Sequence, residues 1–342
     1  MSSEKGNASN DNLYIGIDLG TSRSAVAASN RKRQWVDSYV GYPKDFIAQR
    51  VLGKQILFGA DALDNRLAVE LVRPLEHGVI KNSTTRDQEA VRELIGHLVS
   101  LAKPQTGQKI FTAVGVPAEA LKENKRAIRE AIAAYADTLM VVSEPFSVAY
   151  GLGELNNAMI IDIGAGTVDF CIMHGMLPSE EDQRSILTAG DYIDQRLYEM
   201  LTEKYPHSKF TLNAVRHYKE QYSFVGESNG TVEVEMQLDA RFVKHDITDE
   251  LRRACESILP AITETTVDLI AKFDPDFQEQ VRSNIILAGG GSQIRGIAAA
   301  LQRVLREYWP CTVTTVKDPL FSGADGALAL AMDMPSEYWE AM

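Results

Sequence analysis

Hydrophobic residues recur along the chain at two spacings. Short apolar runs such as LYIGID (13–18) and KIFTAVGVP (109–117) end at a charged residue, glycine or proline, as buried strands do. Between such runs, DQEAVRELIGHLVSL (87–101) places its apolar residues at helical spacing. This alternation of strands and helices predicts an α/β fold with a layered sheet.

Two of the predicted strands are interrupted in the same way. In GIDLGTS (16–22), Asp18 interrupts an apolar run that then enters a glycine turn, and in IDIGAGTVDF (161–170), Asp162 does the same. A second apolar run follows each turn, which predicts two β-hairpins, one in each half of the chain. The repetition indicates two halves of shared design, each interrupted by a more polar insert.

Three other segments have readable patterns. ADALDNRLAVEL (60–71) is helical in spacing, and residues 255–275 predict one long helix that Pro260 kinks. NIILAGGGSQIRGIAAAL (284–301) predicts a strand, a glycine turn and a helix that follows the turn directly. Each half of the chain therefore combines strands, glycine turns and helices.

Composition narrows the class of protein. A hydrophobic share of 45% and a charged share of 24% are typical of a soluble globular protein. The 35 Lys and Arg against 47 Asp and Glu argue against a duplex nucleic-acid partner, which needs basic phosphate contacts. Cys171, Cys255 and Cys311 are far apart, as in a reduced cytoplasmic protein, and the six scattered histidines predict no metal site built by the protein alone.

The N-terminus and the apolar runs bear on localisation. No apolar run reaches the roughly 18–20 residues of a membrane span. The first residues, MSSEKGNASND, have neither the apolar core of a signal peptide nor an apolar helical face. We therefore expect a cytoplasmic protein without direct membrane insertion, which begins with a disordered tail over residues 1–12.

The two glycine turns are candidate phosphate sites. A glycine-rich turn exposes backbone N–H groups that can bind phosphate oxygens, although a plain hairpin turn uses glycine too. Neither turn matches the P-loop or the GxGxxG pattern. The strand-end carboxylates Asp18 and Asp162 favour a site, because a buried carboxylate needs a cation or hydrogen bonds. Facing each other across a cleft, they could hold Mg²⁺ through its water shell.

Three further signals are ambiguous taken singly. The glycines 289–291, with Ser292, could approach a ligand or form a structural turn. Glu144 falls in the first turn of a predicted helix, where it could orient a water molecule or simply favour the helix dipole. Lys219 and Glu220 lie on a polar helix and read as a solvated face.

Several of these stretches together resemble a known superfamily. GIDLGTS, IDIGAGTVDF and LAGGGSQIRG (287–296) resemble the phosphate-1, phosphate-2 and adenosine motifs of actin, the Hsp70 ATPase domain and the sugar kinases, in the same order. SEPFSVAYGL (143–152) resembles the bacterial-actin helix that carries the hydrolytic carboxylate. Stretches outside the motifs, such as KEQYSFVG (219–226), resemble the magnetosome branch of the bacterial actins.

The resemblance implies an architecture. The fold class is α/β, an actin-like ATPase fold with two duplicated RNase-H-like lobes in four subdomains and a nucleotide cleft between the lobes. The implied divisions are 13–37, 76–150 and 326–342 for subdomain IA, 38–75 for the IB insert, 151–185 and 251–325 for subdomain IIA, and 186–250 for the IIB insert.

The resemblance also implies a role for each site residue. Glu144 would position the attacking water, and Asp18 and Asp162 would hold Mg²⁺ through water. The residues expected to bind ATP or ADP are Asp18, Leu19, Gly20, Thr21 and Ser22 in the first turn, Asp162, Gly164, Ala165, Gly166 and Thr167 in the second, Gly190 and Asp191 near the ribose, and Lys219, Glu220, Gly289, Gly290, Gly291 and Ser292 around the adenosine.

The implied function is an ATPase that polymerises. Head-to-tail association of one chain gives open-ended filaments, which in this branch align and position magnetosomes together with adaptor proteins. The expected location is the cytoplasm, along the magnetosome chain. Two alternatives stay open, namely a cell-shape or plasmid-segregating actin and a monomeric metabolite kinase. Sedimentation that depends on ATP separates a polymer from a kinase.

Overall fold

The computed structural model describes residues 12–81, 84–119 and 121–342. Residues 1–11 of the predicted tail lie outside the described residues, and Asn12 begins the first strand. The strands are β1 (Asn12–Leu19), β2 (Arg23–Ala28), β3 (Arg33–Asp37), β4 (Val40–Pro43), β5 (Leu57–Phe58), β6 (Val69–Val72), β7 (Leu75–Glu76), β8 (Val79–Ile80), β9 (Lys109–Val116), β10 (Thr138–Ser143), β11 (Asn156–Ile163), β12 (Val168–His174), β13 (Gln183–Ile186), β14 (Ser208–Lys209), β15 (Glu233–Leu238), β16 (Arg241–Asp246), β17 (Ile285–Ala288), β18 (Val313–Thr315) and β19 (Glu340–Ala341).

The helices follow the strands in alternation. The α-helices are α1 (Phe46–Leu52), α2 (Gly59–Asp64), α3 (Thr85–Leu101), α4 (Leu121–Ile132), α5 (Glu144–Leu152), α6 (Gly190–Lys204), α7 (Leu212–Tyr222), α8 (Thr248–Glu256), α9 (Leu259–Lys272), α10 (Gln278–Arg282), α11 (Ile297–Leu305) and α12 (Ser322–Asp333), and 3₁₀ turns lie at Gly290–Gln293 and Ser336–Tyr338.

The described chain divides into two compact units. The first contains residues up to 116, 121–152 and 321–342, and the second contains 117–119 and 153–320. The six-stranded sheet of the first unit has the order β19-β10-β9-β1-β2-β3. Its strands β1, β9 and β10 are parallel, whereas β1 and β2 form an antiparallel hairpin.

The core of the first unit lies between this sheet and its helices. Helix α3 begins with a capping box at Thr84 and Asp87 and buries its apolar face, including Leu94 and Leu98. Helices α5 and α12 pack so closely that a Cβ at Gly326 would lie 1.8 Å from the carbonyl oxygen of Ser147. Only glycine allows this approach.

The second unit repeats the same arrangement. Its five-stranded sheet has the order β13-β12-β11-β17-β18, with β11 and β12 in an antiparallel hairpin and β17 parallel to β11. Phe170 of β12 and Phe224 are fully buried in its core. Each unit also carries a three-stranded sheet, β5-β4-β6 in the first and β14-β15-β16 in the second.

Two predicted helices are wrong in extent. In residues 60–71, the helix ends at Asp64, and Val69–Val72 is instead a strand because its backbone pairs with β4. The predicted kinked helix over 255–275 is two helices, α8 and α9. Pro260 lies at the beginning of α9, where its missing N–H costs no helical hydrogen bond. Among the described residues, no helix is long and apolar enough to cross a membrane.

Candidate functional site

In the first unit, Asp18 lies at the carboxyl end of β1. It pairs with Gly115 of the parallel strand β9, and its carboxylate packs where a Cβ at Gly323 would come within 2.6 Å of Oδ2. Burial raises the pKa of the Asp18 carboxyl to about 7. The fold thus holds a carboxyl group where its charged form is poorly solvated, which suits a group that meets a cation.

The turn after Asp18 is held by side chains from later segments. Ser38 donates its hydroxyl to the Gly20 carbonyl at 2.7 Å and lies 2.8 Å from the hydroxyl of Ser24. Arg73 Nε donates to the Thr21 carbonyl at 2.9 Å, and the Gly78 N–H donates to the Thr21 hydroxyl at 3.1 Å. The segment that follows β3 and the residues around the β7–β8 hairpin thereby hold the turn in place.

Glu144 begins α5 directly after β10 and is 9% exposed. A Cβ at Gly115 would lie 3.5 Å from Glu144 Cγ, so the glutamate side chain covers the strand that pairs with Asp18. Asp18 and Glu144 therefore lie at the same edge of the six-stranded sheet. The carboxyl ends of parallel strands are where α/β sheets bind ligands.

In the second unit, Asp162 occupies the matching position in β11. It is 8% exposed and lies opposite Asp169 of β12, which is 1% exposed. Burial raises the pKa of Asp169, although hydrogen bonds from Ser185, Thr167 and the backbone N–H of Ala118 oppose that shift. The sequence marks Asp169 within an apolar run but assigns it no role, and its pairing with Asp162 appears only in the folded hairpin.

The second turn is held mainly by backbone groups. The Gly164 N–H donates to the Thr167 carbonyl at 2.9 Å, which closes the turn. At the beginning of α6, the Gly190 N–H donates to the Gly164 carbonyl at 3.1 Å, and the Asp191 N–H donates to the Ala165 carbonyl at 2.7 Å. The predicted phosphate turn and the predicted ribose residues are therefore in direct contact.

The three glycines after β17 differ from one another. Gly289 has φ +70°, and a Cβ there would lie 2.2 Å from Asp162 Oδ1, while a Cβ at Gly291 would lie 2.2 Å from Ile163 Cγ2. At Gly290 an added Cβ meets nothing within 4 Å. Ser292 donates its hydroxyl to the Gly289 carbonyl at 2.8 Å. The helix predicted to follow directly is instead a 3₁₀ turn, and α11 begins only at Ile297.

Lys219 is half of the predicted adenosine pair and is largely buried, whereas Glu220 is exposed. The Lys219 ammonium donates to the Gly190 carbonyl at 2.8 Å and lies 2.7 Å from Asp194 Oδ1. Arg216 binds the other oxygen of Asp194 at 3.1 Å. Sequence reasoning did not single out Asp194 and Arg216. Their only signal is that acidic and basic residues three apart recur on two successive helices.

The residues present fit a hydrated cation better than a fully protein-bound one. Within the part of the chain that the structure describes, no group of three or more His, Cys, Asp or Glu could hold a metal ion. Asp18 and Asp162 each offer one buried or partly buried carboxyl group at a strand end. Mg²⁺ usually keeps several waters and takes one or two carboxylates beside the phosphates of its ligand.

A hairpin, a parallel strand and a strand-end carboxylate occur in both units, and this repetition defines an actin-like fold. The MreB/Mbl protein family matches residues 12–337. The chain belongs to the MreB/Mbl family of bacterial actins. The predictions of fold and family are therefore confirmed.

Individual relatives agree with the family. The chain is 41% identical over 342 residues to the actin-like protein MamK of Paramagnetospirillum magneticum, covering 100% of this chain and 98% of the relative. The structure of a MamK double helical filament matches with a TM-score of 0.92 and 40% identity, over 95% of this chain and 100% of that one. A non-polymerising MamK mutant bound to AMPPNP matches with 40% identity and a TM-score of 0.73, over the same shares of the two chains. The predicted resemblance to the magnetosome branch of the bacterial actins, which rests on stretches outside the glycine turns, is thus confirmed.

Proposed function

We propose that this protein is an ATP-binding and ATP-hydrolysing actin that polymerises head to tail into cytoplasmic filaments. The filaments align and position magnetosomes together with magnetosome-associated adaptor proteins. The observation that carries the proposal is the likeness to the subunit of the MamK filament, with a TM-score of 0.92 over 95% of the chain. A backbone alike over nearly the whole subunit supports the same kind of assembly.

The nucleotide in this proposal is ATP or its product ADP. Backbone N–H groups of residues 19–22 bind the β- and γ-phosphates, and residues 164–167 form the second phosphate loop. Gly190 and Asp191 lie near the ribose, while Lys219, Glu220 and residues 289–292 surround the adenosine. Support comes from the MamK relative that binds AMPPNP, an ATP analogue, at 40% identity.

Magnesium has a defined place in the proposal. Asp18 and Asp162 would hold the ion through its water shell, which would offset the cost of burying their carboxylates. When bound, Mg²⁺ neutralises charge on the phosphate oxygens. The chain's own contribution is to fix the two carboxylates at strand ends and to present backbone N–H groups to the phosphates.

Glu144 is the proposed catalytic residue. Its carboxylate orients the water that attacks the γ-phosphate, and helix α5 fixes it because the glutamate begins that helix directly after β10. Hydrolysis gives ADP and phosphate. In a filament, this reaction acts as a timer that weakens contacts between subunits after assembly.

The first insert carries a surface suited to such contacts. Helix α1 buries none of its side chains, and Phe46, Ile47 and Val51 are 73%, 57% and 78% exposed. Leu67 is 88% exposed, and its carbonyl accepts a hydrogen bond from Lys44, just before α1. These four residues, the α1 patch, form an exposed apolar group of the kind found at protein interfaces. We assign it to the longitudinal contact.

Sedimentation tests the proposed function. The full-length protein should pellet with Mg²⁺ and ATP and stay in the supernatant without nucleotide or with EDTA. Electron microscopy of the pellet should show filaments. A protein that never sediments with Mg-ATP but transfers phosphate to a small metabolite would be a kinase, and the filament proposal would be wrong.

Glu144→Gln tests the catalytic assignment, because glutamine keeps the volume and removes the charge that orients the water. We expect phosphate release to fall by about a hundredfold, while ATP binding and assembly are retained. Phosphate release and sedimentation should be measured on the same samples. Unchanged phosphate release would mean that another group orients the water.

A further inference from the structure

Four charged residues of α6 and α7 form a cluster inside the second unit. Asp191 and Asp194 lie on α6, and Arg216 and Lys219 lie on α7. Arg216 bridges the two aspartates, at 3.2 Å to Asp191 and 3.1 Å to Asp194, and Lys219 lies 2.7 Å from Asp194. We call these four residues the α6–α7 charge cluster.

Asp194 is the centre of this cluster. Its side chain is 1% exposed, and both of its oxygens contact a cation. Burial raises the pKa of Asp194, while Lys219 and Arg216 oppose that shift. Two acidic and two basic groups balance in charge, so losing one of them leaves another charge buried without its counterpart, which is strongly unfavourable.

The cluster connects to the second phosphate turn through one lysine. The Lys219 ammonium donates to the Gly190 carbonyl at 2.8 Å, and the Gly190 N–H donates to the Gly164 carbonyl at 3.1 Å. A lysine ammonium has three donors. Contacts within the described residues account for two of them, so one donor is left for a ligand.

We infer that Asp194 is a positioning residue for the nucleotide, because it fixes the Lys219 ammonium against the Gly190 carbonyl beside the second phosphate turn. This inference rests on the proposed function, and it adds a residue that touches no nucleotide. Without the Asp194 charge, the ammonium loses one of its two anchors. Its remaining donor is then no longer held in one direction, and the rigid link between α7 and the turn is lost.

A double-mutant cycle on ADP binding tests the inference. The full-length protein, Asp194→Asn, Lys219→Met and the double variant are titrated with ADP and Mg²⁺ by calorimetry. We expect each single variant to bind ADP about tenfold more weakly, and the double variant to bind no more weakly than Lys219→Met alone, because coupled residues are not additive. If the two residues acted on ADP binding independently, the two losses would add, and if Asp194 served only stability, Asp194→Asn would leave the affinity of the folded protein unchanged.

The control lies on the same helix. Glu199 pairs with Arg196 on α6, and both side chains are more than 40% exposed. Glu199→Gln also removes one acidic charge from α6, and we expect it to leave ADP affinity unchanged, since exposed pairs contribute little.

The possible outcomes separate the two claims. Wild-type protein that binds no ADP would overturn the proposed function and this inference with it. Wild-type binding that Asp194→Asn leaves unchanged would overturn the inference alone. If Asp194→Asn does not fold, the double variant still tests the inference, because it keeps the charge balance of the cluster. ADP binding by the double variant that is weaker than ADP binding by Lys219→Met would mean that Asp194 does not act through Lys219.

Discussion

The two glycine turns share a backbone plan but are held in place differently. The turn after Asp18 is fixed by side chains, with Ser38 on the Gly20 carbonyl and Arg73 on the Thr21 carbonyl. The turn after Asp162 is fixed by backbone bonds to the beginning of α6. Two turns with similar sequence motifs are therefore held by different kinds of hydrogen bond.

This difference suggests a division of labour. The supports of the first turn come from the edges of the segment that also carries the α1 patch, so the proposed assembly surface and the proposed phosphate turn are neighbouring parts of the first unit. The second turn is connected through Gly190 to the α6–α7 charge cluster, and separating the buried charges of that cluster is energetically costly. We expect the first turn to adapt during the ATPase cycle and the second to stay fixed.

The largest effect should come from breaking the packing of the second turn. Gly289→Ala would place a Cβ 2.2 Å from Asp162 Oδ1 at φ +70°, so the turn or the β11 end must move. We expect a loss of about 2–3 kcal/mol in the free energy of unfolding, together with loss of ATP binding. Denaturant unfolding and calorimetry measure these quantities.

The next glycine provides the control for that variant. An added Cβ at Gly290 meets nothing within 4 Å, so Gly290→Ala should change stability by less than about 0.5 kcal/mol. Equal losses of stability in the two variants would show that the contact with Asp162 is not the reason why position 289 requires glycine.

Removing the charge of Asp18 should raise the stability of the protein and lower its affinity for Mg-ADP. Burial raises the pKa of this carboxyl to about 7, so its ionised form is disfavoured in the nucleotide-free fold. At pH 8, Asp18→Asn should therefore stabilise the Mg²⁺-free protein by about 1 kcal/mol. Because the group proposed to hold the hydrated ion is lost, Mg-ADP affinity should fall by about ten- to a hundredfold.

Thermal unfolding and calorimetry test this pair of changes. Asp61, whose side chain is 60% exposed, provides a control, and Asp61→Asn should alter neither quantity. If Asp18→Asn bound Mg-ADP as tightly as the wild type, the assignment of Asp18 to the ion would be wrong.

The α1 patch tests the connection between the first insert and assembly. Phe46→Ser with Val51→Ser removes two large apolar side chains that are 73% and 78% exposed. Because each would be buried in the proposed contact, we expect the critical concentration for assembly to rise about tenfold or more. ATP affinity of the monomer should not change. Sedimentation at several protein concentrations gives the critical concentration.

A polar substitution in the same insert controls for general surface effects. Lys54 forms an exposed pair with Asp61, and Lys54→Gln should leave the critical concentration unchanged. A double variant that assembles like the wild type would remove the α1 patch from the longitudinal contact.

The smallest effect should come from the side-chain support of the first turn. Ser38→Ala removes the hydrogen bond to the Gly20 carbonyl at 2.7 Å and leaves the buried Ser24 hydroxyl without that partner. We expect a loss of about 1 kcal/mol in stability and a slight weakening of ATP binding. Ser100→Ala, which removes an exposed bond within α3, is the control for chemical denaturation. A loss as large as that of Gly289→Ala would contradict the idea that the first turn is the adaptable one.

The two hairpins could be predicted from sequence because strand, carboxylate, glycine and second strand are all local signals. The rest depends on which surfaces meet. Gly289 and Gly290 look alike in the chain, and only the approach of β11 distinguishes them. Asp194 has the pattern of a solvated helix face, yet the packing of α7 on α6 buries it. Likewise Val69–Val72 becomes a strand because β4 offers a partner, and apolar spacing does not reveal such a partner.

The central claim is that both turns bind one Mg-nucleotide in a filament-forming actin. Electron cryo-microscopy of the full-length protein assembled with Mg²⁺ and AMPPNP tests it most directly. We predict filaments whose subunits contain nucleotide density in contact with residues 19–22 and 164–167, with the ion near Asp18 and Asp162. Filaments with nucleotide bound elsewhere, or particles that remain single subunits with AMPPNP, would contradict the claim.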